Sequence, residues 1–509
     1  DQVIAYAPDW GPTVFMPGAG DAVFRSDWSA DATYMLLRGE HGRARERGLG
    51  HEHPDETSFI LYAGGEMLAL DAGYINYPNH HKVNRGRNHN LVLINGEGPP
   101  LFLAGDTAIG GGNDAFLENF YTTPFMDYAE IRARYAETDL RRRVMFPGKE
   151  YFVVADQLSA ENENHYEWRL HGNGGGTSGG TYDRSNNIAR WTRDRAELVV
   201  FLPEREGRVF TERDTVHSFS YLQELTHTVL QVQERGRDAE FLAVLFPRSF
   251  DRPVPAFHHL KSRGGQAVEV AAEDWHDRIW LLDSDSNLIE FDTSIGTLTS
   301  DARMGLLRYE RSQLQALTLQ EVEHLALNGE PLLESVGPVD ISLAILGEQA
   351  NGFVRGNENG YELSIALGRA LLGVRYGGAS VSLDEGQTTI DLSGEGDLVL
   401  NLGPDQVTAV VDSPAKPARF ELVPNWPNPF NSSTQISYIL AEDGEVRVDI
   451  YDLLGQRVRV LVAGYQMSGS YQVSWDGQDQ HGNRVGTGVY LLRLASGSRM
   501  ASQKLLLLH

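Results

Sequence analysis

The sequence predicts an all-β protein, a large antiparallel β-sandwich followed by a smaller β-sandwich and a compact C-terminal β unit. Two observations carry this. Apolar or alternating runs of four to eight residues, separated by Gly, Asn and Asp, recur about every ten residues from Phe59 to Leu494. Helical periodicity is scarce. The first clear pair of runs is FILYAGGEMLAL, which reads as a hairpin turning at Gly64-Gly65. Asp127 to Arg143 (DYAEIRARYAETDLRRR) is the best helix candidate, or else an irregular arm between strands. Strand runs follow at Tyr151–Val154, Ala196–Leu202, Phe241–Phe246, Arg278–Leu282 and Leu371–Tyr376, and the glycine cluster Gly172–Gly180 reads as a mobile loop. A polar turn region after Leu333 and the proline-containing stretch 412–419 (DSPAKPAR) divide the chain into 1–333, 334–411, a semi-rigid linker at 412–419, and 420–509.

Composition narrows the function. The 509 residues are 41% hydrophobic and 22% charged, with no apolar run long enough for a membrane helix, which indicates a globular chain of several domains without a membrane span. A net charge of −26 disfavours nucleic acid and anionic membranes as partners. With no cysteine, disulfides, thiolate metal sites and cysteine nucleophiles are excluded, so a metal would have to sit on His, Asp or Glu. The opening DQVIAYAPDW has neither the basic start nor the apolar run of a signal peptide, and a processed or trimmed beginning is expected.

Six of the sixteen histidines, His41, His51, His53, His80, His81 and His89, fall between Arg38 and Asn90. That window is charge-neutral within an acidic chain, a natural place for an anionic ligand. In an extended His51-Glu52-His53 segment the two imidazoles share one face about 7 Å apart, leaving one free for metal and the other for proton chemistry. His53, Asp71 and His89 would make an N/O donor set suited to zinc, provided the chain bends at Pro54, because a regular hairpin pairs Asp71 near Ser58. On the residues alone, surface or hydrogen-bonded core histidines are the favoured reading. Arg85 and Arg87 read either as a clamp on substrate carboxylate or sulfate, or as a solvated turn.

Gly48 to Gly98 carries a His-x-His segment, an apolar hairpin, Asp-x-Gly-Tyr, then Arg-rich sequence and His-Asn before a strand. Together with Ala22–Arg38, Arg141–Asp156 and Tyr166-Glu167-Trp168, this resembles the heparinase II/III-like domain of polysaccharide lyases over residues 10–330 and more loosely to about 410. The resemblance implies β-elimination of a uronic-acid-containing acidic polysaccharide: the C5 proton is removed beside a neutralised carboxylate and the 4-linked sugar departs. It assigns His51 as the catalytic-site histidine and His53, Asp71 and His89 as holders of a structural Zn2+; of the tyrosines just after that aspartate, Tyr77 is expected as a second catalytic-site residue and Tyr74 as a substrate contact. It also implies a helical toroid, supplying the main catalytic tyrosine, as a preceding domain or a separate chain.

From Phe420 the motifs Pro427-Asn428-Pro429-Phe430, Tyr451-Asp452 with Gly455, Trp475-Asp476-Gly477 and Gly488-Val489-Tyr490 resemble the C-terminal sorting domain of the type IX secretion system. This implies a seven-stranded immunoglobulin-like sandwich, the secretion machinery as a partner, and a secreted or cell-surface location. Asp476, Asp479 and Asn483 read as turn residues, since a calcium loop would need an acidic twelfth ligand. A non-catalytic surface glycan-binding or structural protein is the alternative to a lyase. A two-carboxylate glycoside hydrolase is a third reading, with no pair of acids singled out.

Overall fold

The computed structural model describes residues 11–42, 53–104, 107–111, 113–310, 313–367, 369–381 and 389–403; in the tail it describes 420–423, 425, 427–431, 433–441, 444–466, 469–480, 483–497 and 499–508. Antiparallel strands make up these regions, with two short 3-10 segments, Tyr77–Lys82 and Gly86–Asn88, as the only helical elements among the described residues. A five-stranded sheet runs in chain order from Val14–Met16 to the hairpin Phe59–Ala63/Glu66–Ala69. It packs on a ten-stranded sheet whose centre is the long pair Phe152–His171 and Leu225–Ser249. Phe24, Met35, Phe59 and Leu61 from the first sheet meet Ile131, Val154, Trp168 and Leu245 from the second in one core.

The opposite face of the ten-stranded sheet is buried as well. Tyr128, Met145, Val153 and Val244 pack there against Val268, Ile279, Leu281 and Leu306 of a fifteen-stranded sheet. A sheet covered on both sides needs apolar side chains at successive positions, which is why YFVVA and FLAVLF are continuous rather than alternating.

The structure departs from the sequence expectations at two places. The 127–143 stretch forms two strands, Met126–Tyr135 and Thr138–Pro147, joined by a two-residue turn at Ala136 and Glu137, both at positive φ (49° and 55°). Its apolar residues Ile131, Ala133 and Tyr135 alternate with exposed Arg132 and Arg134, a period of two. The boundary expected after Leu333 falls inside strand Glu330–Leu346, and one sheet runs from Ala256 to Leu402, so the architectural change lies between Ser249 and Ala256. The polar turn signal after Leu333 lies in a strand whose pairing with Gln313–Leu327 shifts register at bulges. The expected linker at 412–419 lies outside the described residues. The glycine-rich 172–180 segment is a loop whose Thr177 and Ser178 amides both donate to the Thr226 carbonyl at 2.9 Å. In the tail, seven strands form a three-stranded and a four-stranded sheet around Trp475, Ile450 and Leu492.

Candidate metal centre and flanking cleft

The hairpin Phe59–Ala63/Glu66–Ala69 carries the chain to Leu70, where pairing ends and Asp71 turns out of the sheet. Its Oδ1 accepts the Gly73 amide at 2.9 Å, and Gly73 sits at φ 67°, where a Cβ would lie 1.9 Å from the Ser218 carbonyl oxygen. Only glycine allows this approach. From the other side, Gly86–Asn88 delivers His89 into full burial. Asp71 Oδ2 lies 2.9 Å from His89 Nδ1, and the His53 ring is centred 5.2 Å from that of His89. Donor atoms of His53, Asp71 and His89 all stand within 4.8 Å of one another. Pairing near Ser58 is avoided because a bulge at Leu61/Tyr62 and the end of the ladder free Asp71 from strand geometry.

Beneath these donors lies a buried polar hub. Asn90 Nδ2 donates to the Phe59 and Leu70 carbonyls at 2.7 and 2.9 Å, and its Oδ1 accepts the His171 amide at 2.6 Å. Arg142, fully buried, makes a two-point pair with Asp156 at 2.6 and 2.8 Å and donates to the Thr57 and Asn90 carbonyls. One asparagine and one arginine thereby tie the His53-side segment, the hairpin and the His89 segment into one frame.

Electrostatics fit a cation. Burial, then the neighbouring His89, push the His53 imidazole down to about 3. For His89 burial opposes a charge, yet the Asp71 carboxylate outweighs it and the net shift is upward. Burial opposes a charge on Asp71 too, but His89 outweighs it and holds the carboxyl well below its ordinary range. Asp71 and His89 are thus poised as an ion pair, the arrangement in which a divalent ion can replace the shared proton. The buried Nε2 of His89 finds no hydrogen-bond partner among the described residues. Two imidazoles and a carboxylate at this spacing are a donor set that could hold zinc.

Of the other sequence candidates, His51 lies outside the described residues. Tyr77 begins the 3-10 segment and is 63% exposed. Tyr74 packs on His80, whose ring in turn is 4.9 Å from that of His53. His80 was not among the predicted site residues, because nothing distinguishes it in sequence from its exposed neighbour His81. Arg85 and Arg87 come together in a cleft of about 720 Å3 that starts at Pro54, beside His53, and extends past Glu97 and Asn113 to Arg134. Glu97 and Glu137 share the lining, so the cleft carries a small excess of positive charge within an acidic chain.

The fold and the site define a β-sandwich protein with a candidate His/Asp/His centre opening beside an arginine-lined cleft. Residues 11–256 match the family model described as heparinase II/III-like, C-terminal. Residues 430–499 match the FlgD Ig-like domain. A heparin-sulfate lyase of Pedobacter heparinus is 24% identical over 245 residues, covering 46% of this chain and 34% of that protein. A heparin-sulfate lyase of Bacteroides stercoris is 26% identical over 162 residues, covering 29% and 22% respectively. The crystal structure of a mutant heparan sulfate lyase from Pedobacter heparinus aligns with 52% of this chain and 41% of its own at 20% identity and a TM-score of 0.42. The matched stretch therefore spans about a third or less of the curated relatives.

Proposed function

We propose that this chain is the β-sandwich part of a polysaccharide lyase that cleaves a uronic-acid-containing acidic glycan by β-elimination, exported through the type IX machinery and held outside the cell. The observation that carries the reading is the convergence of His53, Asp71 and His89 within the segment that matches the heparinase II/III-like C-terminal family. Zinc bound there would supply a fixed positive charge and lock the surrounding loops. The residues of this chain do the rest. Arg85 and Arg87 take substrate carboxylate or sulfate by paired N–H donors and fix the sugar in the cleft. His51, two residues from His53, is the group we assign to proton transfer, and Tyr74 and Tyr77 flank the glycan. The short share of the relatives that is matched supports a second chain or domain completing the cleft with the remaining catalytic groups.

The test is to mix the chain, with and without a toroid-bearing relative, with heparan sulfate or alginate and follow the ultraviolet absorbance of the unsaturated uronate. Absorbance growing with wild type and abolished by His51→Ala supports the lyase. Glycan binding with no absorbance under any pairing, unchanged in His51→Ala, would leave a non-catalytic binding protein.

A further inference from the structure

A second group of histidines lies outside the metal centre. His171 closes strand Phe152–His171, His217 closes Val209–His217, and His227 lies near the start of Leu225–Ser249, the strand between them. His171 pairs with Val229 and His217 with Leu225, so each is a diagonal neighbour of His227 across the ladder. All three are buried. His171 Nδ1 is 2.9 Å from His227 Nε2, and His227 Nδ1 is 2.9 Å from His217 Nδ1. His227 therefore uses both ring nitrogens at once, one as donor and the other as acceptor.

The two ends of this row grip the Asp71 loop at its two ends. The His171 carbonyl accepts the Leu70 amide at 2.7 Å, and the His171 amide donates to Asn90, next to His89. At the other end Ser218, adjoining His217, donates its amide to the Ala72 carbonyl at 2.9 Å and its hydroxyl to the Tyr74 carbonyl at 3.1 Å. Asp71 is thus suspended between two anchors borne by strands that flank Leu225–Ser249, and the row of imidazoles links those strand ends through side chains, alongside the backbone ladder and the Thr228–Asp214 hydrogen bond. A buried three-imidazole chain is a costly way to fill a core, since each polar nitrogen must find a partner.

We propose that His171, His227 and His217 form a brace for the metal centre, with His227 a positioning residue that touches no ligand yet fixes Asp71 opposite His53 and His89. The inference rests on the zinc reading for its consequence, but the brace itself is made by this chain's own side chains. Glutamine keeps one donor and one acceptor at a similar spacing, whereas leucine removes both.

Three readouts test this on the full chain: zinc affinity by competition with a chromophoric chelator, hydrogen exchange of the Leu70 and Ser218 amides without metal, and urea unfolding. The expected result for His227→Leu is zinc binding weaker by about tenfold and faster exchange at Leu70 and Ser218, with the Phe241–Phe246 amides unchanged. His227→Gln should stay within about threefold of wild type on both. The proposal is overturned if His227→Leu leaves exchange at Leu70 and Ser218 unaltered, or if Gln and Leu lower exchange protection and unfolding midpoint alike throughout the sheet. Should wild type take up no zinc, the metal reading fails separately, and the exchange result alone decides whether the brace exists.

Discussion

Asn90→Ala is the sharpest perturbation of the frame beneath the site. The substitution removes two donated hydrogen bonds, to the Phe59 and Leu70 carbonyls, and one accepted from the His171 amide, in a residue that is fully buried. Each orphaned buried group costs about 1–3 kcal/mol. Allowing for relaxation and for water entering the space, the loss should be about 3–6 kcal/mol, a large share of the roughly 5–15 kcal/mol of a typical domain. Asn90→Asp should be no better, because a carboxylate oxygen would then face two carbonyl oxygens that now receive N–H groups. The assay is urea unfolding followed by fluorescence of the first unit, where Trp168 and Trp191 are buried, together with exchange at the His171 amide. A loss under about 1 kcal/mol, with the His171 amide still protected, would show that the hub does not hold the three segments together.

Other consequences follow from the same geometry. Gly73→Ala places a methyl carbon 1.9 Å from the Ser218 carbonyl at a φ of 67°, so it should destabilise by more than about 2 kcal/mol and weaken metal binding together; calorimetry and zinc titration read both. Burial holds His227 at about 3 and His217 at about 4, against 6.5 for an ordinary histidine. The unfolded chain therefore binds more protons below pH 6.5, and stability should fall as pH drops from 6.5 to about 4, by roughly 3 kcal/mol for either histidine alone; flat urea midpoints across that range would contradict the neutral assignment. Replacing Arg85 and Arg87 together by Ala should weaken heparan sulfate binding by tenfold or more at low salt, with unfolding changed by less than about 0.5 kcal/mol; unchanged binding by fluorescence titration would remove the cleft from the account.

Much of this could be read from the chain. The hairpin at Gly64-Gly65, the strand runs and the seven strands of the tail follow directly from apolar spacing and turn residues. The grouping of His53, Asp71 and His89 was reachable only through motif order, since their meeting depends on a bulge and a strand end that carry no local sequence mark. Two expectations were displaced by identifiable physics. In 127–143 the charged residues that suggest a helix are strand residues: Arg132 and Arg134 face outward, Arg134 pairing across the ladder with Asp139 at 2.8 Å, while Arg142 and Arg143 are buried in ion pairs with Asp156 and Glu130. The turn after Leu333 proved to be irregularity inside a long shared strand. The histidine row and the Asn90 hub were hidden for a different reason. Their members come from separate strands and segments, His171 lying 56 residues from His227 and 81 from Asn90, and only the sheet order joins them.

The most direct test is the zinc content of the purified chain, by elemental analysis, beside that of Asp71→Asn and His89→Ala. One zinc per chain in wild type and far less in both variants, with folding retained, is the predicted result. Wild type free of zinc even after exposure to excess metal, or variants that hold it as tightly, would contradict the assignment of His53, Asp71 and His89 as one metal centre.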